Sequence, residues 1–256
     1  MKITKITKGT KSAEGVKIVA ASDIHGACLQ RIGDEVIRYN PDIFVIAGDL
    51  QGGGRSIDGR AYYEREFIPM VRRLRSYDIE VVLVPGNHDI WLYNMDTKKL
   101  AIPRGYHLLI DNEETVCGLK FYGTPWCPFI NGRWVYESEE DRLEYVFSKI
   151  PENLDVLIAH SPPLGMEKEN MDVSMQFKIK FRQHFGSPNL RREIVEKRPR
   201  LVLCGHIHSG DHRPYVIGRS TVANVSLMNE EYYRAYGMAR VTFTGDGIKY
   251  IKGKRI

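Results

Sequence analysis

The chain has 256 residues, of which 43% are hydrophobic, 10% aromatic and 27% charged, with a formal net charge of +5. This is enough apolar material for a large core, and no low-complexity tract argues for disorder. No apolar run approaches the roughly 20 residues of a membrane helix, and so small a positive charge permits an anionic partner without indicating nucleic acid. The start, Met1-Lys-Ile-Thr-Lys-Ile-Thr-Lys-Gly9, has lysines but no signal-peptide apolar region. Four scattered cysteines (Cys28, Cys117, Cys127, Cys204) form no C-x-x-C pair and read as reduced thiols of a cytoplasmic protein.

Residues 16–21 read as a strand that runs straight into Ser22-Asp23-Ile24-His25-Gly26. Leu29, Ile32, Val36 and Ile37 then recur at helical spacing until Pro41. Residues 42–47 form a second strand, closed by Gly48-Asp49-Leu50, and a helix is expected over 61–77 with Phe67, Met70, Val71 and Leu74 on one face. Residues 79–84 are a third strand, ended by Pro85-Gly86-Asn87-His88-Asp89. This β-α-β-α-β order implies a parallel sheet with right-handed crossovers. Short strands around 107–110, 114–116 and 119–122 read together as a hairpin region. A helix over 138–149 leads to a strand at 154–159, closed by His160. Residues 166–186 show no strand pattern and read as a mobile loop with some helix. A helix over 188–197 precedes the apolar run Leu201-Val-Leu-Cys204, which ends in Gly205-His206-Ile207-His208. Strands are expected at 220–226, 237–243 and 248–252, the last two joined by the turn Thr244-Gly-Asp-Gly247. Neither a repeat nor a long linker divides the chain, so 1–256 reads as one domain.

One construction recurs five times: a short apolar strand ends directly in a residue able to bind metal. The ends are Asp23-x-His25, Gly48-Asp49, Gly86-Asn87-His88-Asp89, His160 and Gly205-His206-x-His208. In open α/β sheets, sites form beyond the carboxyl ends of the strands, which lets residues distant in sequence meet. A donor set of Asp, Asn and His without thiolate suits manganese, iron, zinc, nickel or cobalt better than calcium. Seven donors (Asp23, His25, Asp49, Asn87, His160, His206, His208) are too many for one ion. Asp49, with two oxygens, is able to bridge a pair. Two divalent ions against two carboxylates leave a positive pocket, which favours an anion such as a phosphoryl group.

In this order the motifs resemble those of the calcineurin-like metallophosphoesterase superfamily, over about residues 17–210. The resemblance implies a four-layer αββα sandwich of two mixed sheets flanked by helices. It also implies one metal held by Asp23, His25, Asp49 and His208, and another by Asp49, Asn87, His160 and His206. Tyr122-Gly-Thr-Pro-Trp126, His160-Ser-Pro-Pro-Leu-Gly165 and Ala223-Asn-Val-Ser226 are similar to metallophosphoesterase-domain proteins related to class III cyclic-nucleotide phosphodiesterases. The family's Gly-Asp-x-x-Asp/Glu pattern is broken here, where Gly48-Asp49-Leu50-Gln51-Gly52 stands.

The expected activity is hydrolysis of a small or nucleotide-like phosphodiester by a hydroxide made between two cations, manganese first among the candidates. A phosphomonoesterase is the alternative enzyme, and a non-catalytic scaffold the alternative of another class. His88 is assigned to the phosphoryl group and the leaving oxygen, and Asp89 either orients His88 or caps a helix. Trp126, Phe129 and Trp134 are candidate pocket walls, and Arg133, Arg182 and His212 candidate substrate contacts. His107 and His184 read as bystanders. Gly52-Gly53-Gly54 lacks the Gly-Lys-Ser/Thr of a P-loop, and Ser161 lacks a G-x-S-x-G elbow.

Overall fold

Strands that are apolar on both faces need cover on both faces, and this requirement sets the architecture. The computed structural model describes residues 14–52, 58–96, 102–174, 183–245 and 247–256. The first half runs β1 (Lys17–Ala21), α1 (Leu29–Tyr39), β2 (Ile43–Ala47), α2 (Gly59–Tyr62), α3 (Ile68–Arg75), β3 (Glu80–Val84), α4 (Ile90–Asn94) and β4 (Tyr106–Leu108). The middle runs β5 (Asn112–Val116), β6 (Leu119–Thr124), β7 (Cys127–Pro128), β8 (Glu137–Ser138), α5 (Glu140–Phe147), β9 (Val156–Ala159) and α6 (Pro188–Lys197). The last part is β10 (Leu201–Cys204), β11 (Tyr215–Ile217), β12 (Ser220–Asn224), β13 (Ala239–Thr244) and β14 (Gly247–Ile251).

Two six-stranded sheets result, in the orders β14-β13-β1-β2-β3-β4 and β11-β12-β10-β9-β6-β5. In the first, β1 to β4 are parallel and β13 joins β1 antiparallel. In the second, β12, β10, β9 and β6 are parallel, with antiparallel edges β11 and β5. Alternation sorts each strand's side chains between two cores. Ile18 and Ala20 of β1 join Val45, Val82, Phe121, Ile158 and Leu203 between the sheets. Val19 and Ala21 face outward to Leu29, Ile32 and Val36 of α1 and Val71 and Leu74 of α3. On the far side Leu157 and Val202 pack on Leu143, Phe147, Leu190 and Ile194. The four layers are therefore α, β, β, α.

Several expectations are refined. The helix expected over 61–77 starts at Gly59 and is interrupted by a π turn, Tyr63–Phe67. The hairpin region divides: β4 pairs with β3 in the first sheet, and only β5 and β6 form the hairpin, in the second. The chain crosses between sheets at Leu109–Asp111, where the Leu109 amide donates to Leu83 and Asp111 takes a left-handed φ of 51°. Helix is absent from the described residues of 166–186; residues 175–182 lie outside the description. Asp172 orders that stretch by accepting from the Gly165 and Gly186 amides and meeting His184 Nδ1 at 2.7 Å. His184 is thus a structural partner rather than a solvated bystander. None of the four cysteines is in a disulfide. Among the described residues no helix is long and apolar enough to cross a membrane.

His107 also has a structural task. Its Nε2 lies 3.1 Å from Glu80 Oε2 on β3 and its Nδ1 2.6 Å from Glu114 Oε1 on β5, so one imidazole links the two sheets. Burial opposes its charge, but the hydrogen bonds to Glu80 and Glu114 outweigh burial and raise its pKa above the ordinary 6.5. A raised folded-state value stabilises the fold fully below the unfolded pKa, and the contribution is lost as pH rises through the folded value. His107→Gln should therefore cost about 1–3 kcal/mol near pH 6, less if the half-exposed Glu114 side is screened. The difference from the parent should shrink toward pH 9 in urea unfolding; a pH-independent difference would refute the link.

Candidate metal centre

The side chains singled out by the sequence lie at the carboxyl ends of β1, β2 and β3 in one sheet and of β9 and β10 in the other. Backbone hydrogen bonds stitch these ends together. The amides of Ile24 and His25 both donate to the Asp49 carbonyl, Asp23 donates to Gly48, and Gly205 donates to the His160 carbonyl. Four of the turn residues, Asp23, His25, Asp49 and His206, hold left-handed φ angles of 52°, 47°, 52° and 67°. Such backbone is uncommon for residues with a Cβ and concentrates at functional sites.

The turns deliver their donors to one pocket. Asp23, His25 and His208 offer atoms within 4.8 Å of one another; so do Asp49, His160 and His206, and so do His25, Asp49 and His88. His25 Nε2 lies 3.0 Å from His208 Nε2 and 3.7 Å from Asp49 Oδ2. On the other side His160 Nε2 is 3.5 Å from Asp49 Oδ1 and 3.0 Å from Asn87 Oδ1. Asp49 thus stands between two groups of donors. All seven residues predicted as ligands are brought together.

The arrangement suits cations in particular. His160 meets the Ala47 carbonyl through Nδ1 at 3.0 Å, and His208 meets the Asn229 carbonyl through Nδ1 at 2.9 Å. A carbonyl only accepts, so each Nδ1 carries the proton and each neutral Nε2 presents a lone pair. Those lone pairs face other acceptors: Asn87 Oδ1 for His160, and Asp23 Oδ1 at 3.2 Å for His208. Only protons or metal ions relieve such a meeting. Burial opposes charge on His160 and His208, yet Asp49 and Asp23 lift them to about 9. Burial likewise works against the carboxylates, yet His208 beside Asp23 and His160 beside Asp49 hold both below the usual range. Burial prevails at His25 and His206, which fall to about 4 and about 3. The pocket is built for positive charge.

Asp89 corrects an expectation. It neither reaches His88 nor caps α4 with its side chain. Its carboxylate accepts from the amides of Gly86 at 2.7 Å, Gln51 at 2.9 Å and Leu50 at 3.3 Å, tying the loop after β2 to the loop after β3. Burial and then the Asp49 charge raise it to about 7. Gln51, standing outside the family pattern, donates its side-chain amide to the Gly59 carbonyl. His88 is anchored through its backbone amide, 2.8 Å from Asp49 Oδ1, while its buried Nδ1 has no hydrogen-bond partner among the described residues.

A cavity of about 440 Å³ opens over these groups, lined by His88, Phe129, Trp134, Phe185, Glu230 and Tyr232 among others. Trp126 is no wall: its Nε1 donates to Asp111 Oδ2. Arg133 is exposed and lines no part of the cavity, Arg182 lies outside the described residues, and His212 stacks on Tyr236 in a separate recess. Sequence reasoning overlooked Tyr232, whose ring stands 4.7 Å from His25 and 5.4 Å from His208. No strand or glycine motif flags that position. Ser226, quoted only for resemblance, donates Oγ–H to Asp23 Oδ2 at 2.6 Å.

Comparison with known proteins agrees with this geometry. The family model for calcineurin-like phosphoesterases matches residues 16–210. The chain is 33% identical to the human metallophosphoesterase domain-containing protein 1 over 241 residues, covering 84% of this chain and 67% of that protein. In fold it is similar to a Thermus thermophilus protein (TM-score 0.60, 15% identity, 93% of this chain and 99% of that one). It is also similar in fold to a dimetal phosphatase from Danio rerio (TM-score 0.56, 10% identity, 95% and 97%). With the strand-end donors gathered as described and the family model spanning most of its length, the chain belongs to the calcineurin-like phosphoesterase family.

Proposed function

We propose that this phosphoesterase is a two-metal phosphodiesterase acting on small or nucleotide-like diesters. The observation that carries the reading is Asp49, placed between two sets of donors on facing sheet edges. Asp23, His25, Asp49 and His208 would hold one ion and Asp49, Asn87, His160 and His206 the other. Oxygen and nitrogen donors without thiolate suit manganese, iron, zinc, nickel or cobalt, and manganese is the first ion to test. When bound, such a pair supplies charge neutralisation at phosphorus and acidifies water.

The chain's own groups do the rest. Asp49 and Asn87 orient from fixed loops, and the Ala47 and Asn229 carbonyls fix the imidazole tautomers of His160 and His208. His88, lining the cavity, is placed to give a proton from an imidazole nitrogen to the departing oxygen. A diester is favoured because no described lysine or arginine lines the cavity, so a dianionic monoester meets no fixed cation there, while Phe129 and Tyr232 offer apolar surface. Cysteines outside any disulfide suit a reducing compartment such as the cytoplasm.

Two outcomes are expected. Chelator-treated protein should lose hydrolysis of bis-p-nitrophenyl phosphate and recover it best with manganese, with p-nitrophenyl phosphate turned over more slowly; a reversed preference would make it a monoesterase. His88→Asn should keep its metal content yet lose about 10²–10⁴ in kcat on an ester with a poor leaving group. Full activity of that variant would remove His88 from the chemistry.

A further inference from the structure

A general acid has to be held at a fixed angle to the oxygen it protonates. Catalytic imidazoles are commonly held by a hydrogen bond from the ring nitrogen turned away from the substrate. His88 lacks one. Among the described residues its buried Nδ1 has no hydrogen-bond partner, and Asp89, its neighbour in sequence, is engaged by three backbone amides. The His88 ring packs on other rings, and one of its nitrogens stands within 4.8 Å of donor atoms of His25 and Asp49. Trp134 stacks on it with centroids 4.1 Å apart and planes 27° apart, while His25 meets it edge-on at 4.7 Å.

Trp134 is itself firmly placed. The Glu137 carboxylate accepts from the amides of Ile130 at 2.8 Å, Asn131 at 3.0 Å and Trp134 at 2.8 Å. β7 and β8 close the base of this loop, with the Cys127 amide donating to the Tyr136 carbonyl. One carboxylate therefore folds the loop into the shape that lays the indole on the imidazole.

We propose that Trp134 is the positioning residue for His88, its indole plane fixing the imidazole orientation in place of a hydrogen-bonding carboxylate. The inference rests on the phosphodiesterase reading only for its kinetic consequence. The stacked geometry permits sliding in the plane but forbids tilting, so the proton stays directed into the cavity. Loss of the indole frees the ring to turn, and misplacement of a catalytic group costs rate rather than binding.

The test is a double-mutant cycle with the metal-loaded protein. Trp134→Leu should lower kcat on a poor leaving group by about 10- to 100-fold with KM changed little. It should matter far less for a good leaving group, which needs no acid, and Trp134→Phe should restore most of the rate. In a His88→Asn background, Trp134→Leu should cost less than about twofold, because coupled residues are not additive. A second arm reads the ring without catalysis. The His88 Cε1–H resonance should be displaced upfield by the indole ring current, and Trp134→Leu should abolish that displacement. If the cycle is additive, or the loss appears in KM, Trp134 is a substrate wall and the proposal fails. If the parent hydrolyses no ester, the functional reading fails by itself, and an undisplaced His88 resonance then overturns the stacking as well.

Discussion

The structure turns on one buried carboxylate. Asp49 is 1% exposed and lies where loops from three strands of one sheet meet an imidazole from the other. Leaving such a charge unpartnered in the interior costs far more than a small protein's net stability allows. Every neighbour answers this demand. The Asp49 side chain takes the His88 amide, its carbonyl takes those of Ile24 and His25, and His160 and His25 stand within 4 Å of its oxygens. Asp23 is treated alike by the His206 amide, Ser226 and His208. Two acids this deep and this close define where positive charge belongs, and the two sheets are aligned by having to serve them.

The glycines before the donors follow from the same crowding. A Cβ on Gly86 would fall 2.2 Å from Asp49 Oδ1, one on Gly48 2.0 Å from His160 Nδ1, and one on Gly205 2.3 Å from Asp23 Oδ2. The missing side chain is where a donor from another strand sits. Gly48 adds a left-handed φ of 102°, which a larger residue adopts only with strain. The strand-then-glycine-then-donor motif is thus a packing rule before it is a chemical one: the backbone must be bare where the next strand's side chain leans on it.

That rule explains what the amino-acid order disclosed. A motif at a strand end combines a periodicity and a donor, in three of the five cases with a glycine between them, and all five strand ends converged. The parallel strands and the helix Pro188–Lys197 were readable from apolar runs and proline boundaries, whereas the division into two sheets came from the resemblance and the short strands at 127–128, 137–138 and 215–217 were not foreseen. What stayed hidden lies where local pattern carries no partner information. β4 reads like one arm of a hairpin, and only its pairing with β3 places it in the other sheet. Asp89 follows His88 directly, which suggested a partner, yet its side chain points to the amides of a loop 38 and 39 residues away. His107 and His184 looked incidental because their acidic partners come from other strands and loops. Tyr232 sits in a stretch without strand or helix, so nothing periodic marked it.

A division of labour follows. The donors hang from strand ends, which tolerate little movement, whereas the cavity walls hang from two loops, around Trp134 and around Tyr232. Each wall loop is closed by a short stretch of backbone pairing and shaped by a side chain: Glu137 gathers three amides in one, and in the other Asn229 Oδ1 accepts from the Glu231 and Tyr233 amides. The second loop is also fastened to the site itself, since Glu230 accepts from Ser209 and the Asn229 carbonyl meets His208. Loops held by a few side-chain bonds tolerate change at low cost to the core. The rigid half of the pocket therefore supplies the donors, and the loop half shapes the cavity over them. Because Asn229 orients a donor imidazole through its carbonyl while its side chain folds the loop bearing Tyr232, the two halves are not independent. A substitution that reshapes that wall reaches the His208 ring by a single hydrogen bond.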